Sequence, residues 1–167
     1  MEKKITSPVA AGLIISLVII AISVITYFTG TYLQTWAKYI GFAALVIGII
    51  WSVINNAKEK NSEVSYGQLF AFGFKVAAAV TCITILFLLL SGLIFPDMKG
   101  KIIDYARQQA LAKQGADADQ AEKGTELFEQ HYTLFLVIGT IFWYLVLGVL
   151  SSLIAAAIPK KNPQSPF

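Results

Sequence analysis

The chain has 167 residues, 56% of them hydrophobic and 14% charged, where an ordinary soluble domain is about 45–50% apolar and about 25% charged. The apolar residues stand in blocks rather than interleaved with polar ones, which excludes a disordered chain and a typical cytosolic enzyme. A single cysteine, Cys82, excludes an intrachain disulfide and a cysteine metal cluster, and with a small formal charge of +3 spread along the chain, nucleic acid is not an expected partner.

A membrane helix needs about 20 mainly apolar residues to cross about 30 Å of hydrocarbon, and four blocks meet that requirement. The first is expected as a helix over residues 8–29 and carries no charge. Thr6 or Ser7 can cap it, and Pro8 suits its first turn. It follows Met1-Glu2-Lys3-Lys4, which looks like the start of a signal peptide. Its apolar run exceeds the usual length of about 7–15 residues, and no small-x-small cleavage site follows at Tyr27-Phe28-Thr29-Gly30, so a retained signal anchor is expected. A short connection through Gly30 makes an antiparallel hairpin with the second helix, expected over 36–56, which has only Lys38 at its edge. A polar link with Lys58, Glu59, Lys60 and Glu63 leads to the third, over 67–95, with the single charge Lys75. The fourth, over 131–158, is uncharged, and the tail 159–167, with Lys160, Lys161, Pro163 and Pro166, should fray. Buried helices of a soluble protein are the competing reading, but four such blocks leave too little polar surface to cover them.

The polar segment 96–130 has structure of its own. Met98, Ile102, Tyr105 or Ala106, and Ala110 recur at helical spacing. Gly115 would end that helix, and Asp117 with Gln120 starts a second one that runs directly into the fourth block. The expected fold is therefore a single all-α membrane domain over residues 1–167. It is polytopic, with four transmembrane helices in a bundle and a helical polar excursion between helices three and four. Lys3, Lys4, Lys58, Lys60, Lys160 and Lys161 share a shorter length of loop than Lys38, Lys99, Lys101, Arg107, Lys113 and Lys123 on the other side. Cytoplasmic loops collect Lys and Arg, so both termini are expected in the cytoplasm.

Lipid is as apolar as leucine, so helices associate in a bilayer through close packing at small residues. Each block has such a stripe at three- or four-residue steps: Gly12 and Ser16 in the first, Gly41 and Gly48 in the second, Gly73 and Ala77 in the third, Gly148 and Ser152 in the fourth. These are the expected contact faces, with large residues turned to lipid.

Two residues stand out as candidates for a functional role. Lys75 is a charge inside a span, where charged residues are functional candidates. It lies about two turns from the helix start, so its stem can also snorkel to the headgroups, and no Asp or Glu stands within any block to pair with it. Tyr144, with Trp143 beside it, falls mid-span and needs a hydrogen-bond partner inside the bundle, or marks a cavity. Asp119, Glu122, Glu126 and Glu129 form an acidic stripe, which reads as a solvated face rather than a cation site. No nucleophile motif, phosphate loop or paired metal-ligand motif is present, so no catalytic residue, cofactor or metal is expected.

The run Tyr66-Gly67-Gln68-Leu69-Phe70-Ala71-Phe72-Gly73-Phe74-Lys75 resembles the entry to the third helix in an uncharacterised bacterial membrane family, domain of unknown function 4199. The basic start, the two leading helices, the charged helical insertion and the small-residue last helix ending at Lys161 extend the resemblance over nearly the whole chain. It implies an integral envelope protein of a Gram-negative bacterium and carries over no activity. The expected function is that of a small multi-pass inner-membrane protein acting by association, as a structural or accessory subunit or a helper of envelope assembly. Its partners would be the lipid bilayer and other membrane proteins or a second copy of itself, with no nucleic acid. The alternative is an oligomeric channel or transporter-like pathway lined by Thr81, Thr84, Ser91, Ser151 and Tyr144.

Overall fold

The computed structural model describes residues 6–60, 64–112 and 118–159. The expectations that rest on Lys3, Lys4, Glu63, Lys113, Gly115, Asp117 and the tail from Lys160 lie outside the described residues. Six α-helices and no strand occur among the described residues. They are α1 (Pro8–Phe28), α2 (Thr35–Glu59), α3 (Tyr66–Ile94), α4 (Pro96–Leu111), α5 (Ala118–Gln130) and α6 (Tyr132–Ala157). Four of them, α1, α2, α3 and α6, with 21, 25, 29 and 26 residues, are long and apolar enough to cross a membrane. At 1.5 Å per residue α3 extends about 43 Å, longer than the roughly 30 Å of hydrocarbon.

The helix ends follow from local chemistry. Ser7 Oγ accepts the Ala10 N–H at 3.1 Å, and Pro8 opens α1, where its missing N–H costs nothing. The helix stops at Phe28 because Gly30 takes a left-handed φ of +70°. That turn lets the Gly30 N–H reach Tyr27 O at 3.0 Å and the Thr31 N–H reach Thr26 O at 2.9 Å, a Schellman closure that satisfies two end carbonyls. Thr29, expected inside the helix, is its C-cap.

The second helix runs a turn beyond its expected end at 56. The reason is packing, since Asn56 and Ala57 are 2% and 1% exposed. Glu59 then accepts bonds at 2.8 Å from Asn55 Nδ2, the Thr6 N–H and Thr6 Oγ1. This carboxylate joins the end of α2 to the start of α1, where a helix N-terminus favours negative charge.

α3 opens with a capping box. The Gln68 N–H donates to Ser65 Oγ at 3.3 Å, and the Ser65 N–H donates to Gln68 Oε1 at 3.0 Å. It closes where Pro96, having no N–H, cannot continue the ladder that Phe95 ends by donating to Ser91 O at 2.8 Å. Pro96 starts α4, on which Lys101 and Asp97 form an exposed i,i+4 ion pair at 2.8 Å. α5 and α6, expected as one continuous helix, are separated at His131 alone: its N–H still donates to Leu127 O at 3.1 Å and its carbonyl accepts from Phe135 at 3.0 Å.

The chain packs as two compact units. The first takes the residues up to Thr84 and those from Phe142 onward. Its centre is filled by Leu45, Ile49, Val53, Val76 and Val80, all 0% exposed, with Ile15 and Ile19 of α1 and Ala155 of α6 packed on them. The second unit is Ile85–Ile141, in which α4 packs against α5. Ile103 is the buried anchor of α4, and the periodic residues Met98, Ile102, Tyr105, Ala106 and Ala110 are half-buried around it.

The capping box yields a prediction. Ser65→Ala should lower stability by about 1 kcal/mol, and Gln68→Ala, which removes only the return bond, should cost less. Thermal melts of the purified variants in detergent measure both.

Candidate functional site

Burial of apolar surface does not pull helices together in lipid, so the contacts that count are those where backbones come closest. In the first unit they involve four glycines. A methyl group added to Gly12 would lie 2.7 Å from Ala79 Cβ and 3.3 Å from Val76 O, so α1 meets the backbone of α3. One added to Gly48 would lie 2.8 Å from Ile15 Cγ1, between α2 and α1. At Gly73 it would meet Ser152 Oγ at 2.6 Å and Val53 Cγ2 at 2.8 Å, so this point of α3 touches both α6 and α2. At Gly148 it would meet Ala77 Cβ at 2.5 Å, closing α6 on α3. Gly41 differs. Nothing lies within 4 Å of the corresponding position, so it makes no close approach although it shares the stripe of Gly48.

The hydroxyls buried between these helices are satisfied within their own helices. Ser16 Oγ donates to Gly12 O at 2.7 Å, Ser152 Oγ to Gly148 O at 2.6 Å, Ser151 Oγ to Leu147 O at 2.6 Å and Thr81 Oγ1 to Ala77 O at 2.8 Å. Back-bonding of this kind lets a serine lie in an apolar interior without a partner on a neighbouring helix. Thr84 is the exception in the helix interior. Its buried hydroxyl lies beside that of Tyr144 and, among the described residues, has no partner within hydrogen-bond geometry. Tyr144 is itself buried, its ring edge-on to Phe42 with centroids 6.2 Å apart.

Trp143, one residue away, points outward and is exposed. With Thr35, Tyr39, Phe42 and Leu147 it lines a groove of about 690 Å³. Lys75 is also exposed and, among the described residues, forms no ion pair. This outward position suits the snorkelling geometry. Asp119, Glu122, Glu126 and Glu129 all face outward on α5, and among the described residues no three His, Cys, Asp or Glu side chains converge on one point.

Several of these positions were not singled out by the sequence reading. The Ser65–Gln68 box carries the S-x-x-Q spacing that would have found it. Ala79 and Val53, which receive Gly12 and Gly73, carry no signal of their own, because a contact partner depends on how two helices cross.

The glycines separate packing from hydrophobicity. Gly148→Ala and Gly73→Ala should each destabilise the protein by about 1–3 kcal/mol through overpacking. Gly41→Ala should be neutral or slightly stabilising, since alanine is the better helix former and nothing obstructs it. Melting temperatures of the three variants in one detergent decide the matter.

No curated protein and no solved structure matches the chain. A family model described as "Protein of unknown function (DUF4199)" matches residues 10–161. The match covers most of the chain, which therefore belongs to this family of unknown function.

Proposed function

We propose that this is a multi-pass inner-membrane protein that works by association rather than by chemistry, as a structural or accessory subunit or a helper of envelope assembly. In this reading the four long helices form one bundle, residues 96–130 make a helical excursion at the membrane surface, and both termini are cytoplasmic. The observation that carries it is the filled interior of the first unit. Leu45, Ile49, Val53, Val76 and Val80 have no exposed surface, and the neighbouring hydroxyls of Ser151 and Thr81 donate to the Leu147 and Ala77 carbonyls of their own helices. A solute pathway needs those hydroxyls along a continuous cavity. The 690 Å³ groove lies instead on Trp143 and Tyr39, which are exposed, and takes in none of Thr81, Thr84, Ser151 or Tyr144.

Two experiments test the proposal. Proteoliposomes loaded with the purified protein should be no more permeable to protons or potassium than empty vesicles. A leak that Thr84→Val abolishes would replace the proposal with the pathway reading. For the orientation, single cysteines at Lys60 and Gln109 in a Cys82→Ser background are exposed to an impermeant thiol reagent on intact spheroplasts. Gln109→Cys should be labelled and Lys60→Cys protected until the membrane is opened; the reverse pattern would invert the topology.

A further inference from the structure

The second unit contains a groove of about 310 Å³ between the last turns of α3 and the first turns of α6. Leu88, Leu93, Leu136 and Val137 form apolar walls, and Gly92 leaves space on the α3 side, with nothing within 4 Å of where a side chain would begin. At the mouth, Pro96 turns the chain into α4 and brings Lys99 to the rim. The Lys99 ammonium stands 5.7 Å from the centre of the Tyr132 ring, within cation–π range. Lys99 is exposed, and among the described residues no carboxylate pairs with it; Asp97, two residues earlier, holds Lys101 at 2.8 Å.

The two halves of this site select for one kind of ligand. A water-soluble anion would satisfy Lys99 and leave the leucines without a partner. A neutral hydrocarbon would do the opposite. A molecule with a chain of methylenes and a negative head satisfies both, and cationic pockets between membrane helices are where anionic headgroups bind. Tyr132 belongs at the same level, since tyrosine is enriched where helices leave the hydrocarbon. We propose that the groove seats an acyl chain of an anionic phospholipid, with the headgroup phosphate against Lys99 Nζ. The inference rests on the membrane-spanning reading but not on the accessory role.

Native mass spectrometry of the full-length protein in mild detergent tests it, with phosphatidylglycerol and phosphatidylcholine of equal chain length as probes. The wild type should retain one phosphatidylglycerol at roughly fivefold lower lipid concentration than phosphatidylcholine, about the preference that one lysine near a headgroup supplies. Lys99→Gln should erase the preference, and Lys101→Gln, which removes the same charge from the same helix, should keep it. Gly92→Leu should fill the groove and lower retention of both lipids. Equal retention of the two lipids by the wild type, or equal loss of preference in both lysine variants, would overturn the site and leave only general surface charge. A chain that stays folded and monodisperse without detergent or lipid would instead remove the membrane reading itself.

Discussion

Everything in the first unit depends on how closely α3 can be approached. Gly12 brings α1 onto the Val76 carbonyl, Gly148 brings α6 onto Ala77, and Gly73 receives Ser152 from one side and Val53 from the other. In a soluble protein these contacts would be secondary to the release of water from apolar surface. In lipid that release is absent, and dispersion between atoms at contact distance takes over. Each pair of atoms in contact gains only about 0.1–0.2 kcal/mol, and the gain falls off steeply with any gap. The helices therefore approach most closely where side chains are small enough to bring many atoms to contact distance together. α3 meets each of the other three long helices at such a small residue: Ala79 against Gly12, Gly73 against Val53, and Ala77 against Gly148.

The same requirement inverts the usual distribution of side chains. Leu13, Leu17, Ile47, Trp51, Leu150 and Ile154 face outward, while Ser16, Ser52, Ser151 and Ser152 are buried. Serine suits the interior because it is small and because its hydroxyl can fold back onto the carbonyl one turn earlier. Ser16 and Ser152 do this onto the glycines of their own stripes, Gly12 and Gly148. Gly12-x-x-x-Ser16 and Gly148-x-x-x-Ser152 thus work as units, whereas in Gly48-x-x-x-Ser52 the serine donates to Ile49 O instead. The glycine gives the close approach, and the serine hydroxyl is satisfied on the glycine carbonyl one turn earlier. A polar residue used in this way adds no polarity to the surface a neighbouring helix meets, which is why a serine-rich interior is compatible with a filled one.

How much of this could be read in advance depends on the range of the physics. The four spans were legible because four long apolar runs in so short a chain leave too little polar surface for a soluble fold, and the start of α1 because Ser7 and Pro8 act on adjacent residues. The stripes were legible as faces but not as contacts. Gly41 and Gly48 lie two turns apart on one side of α2, and only Gly48 has a neighbour, Ile15, because α1 crosses at that level. Trp143 and Tyr144 make the same point within one residue. A step of one along a helix rotates a side chain by about 100°, so one ring lies in the interior and the other on the outside. The end of α2 is not legible in composition, which turns polar at Asn55, because the backbone follows the burial of Asn56 and Ala57 and the bonds Glu59 makes to Thr6.

A last distinction lies along α3 itself. From Gly73 to Thr84 its inward residues are Gly73, Val76, Ala77, Val80, Thr81 and Thr84, small or β-branched, and this is the stretch that the first unit packs around. Beyond Ile85 the sequence turns to Leu86, Leu88, Leu89, Leu90 and Leu93, with Gly92 set among them and touching nothing. Leucine is too large for backbone-to-backbone approach, and between Ile85 and Ile94 only the small Ser91 is buried. A leucine-walled slot with a bare glycine is matched instead by something thin and flexible. One helix therefore carries two kinds of surface in succession, the first suited to other helices of this chain and the second to the bilayer around it. The change from β-branched and small residues to leucine near Thr84 marks where one gives way to the other.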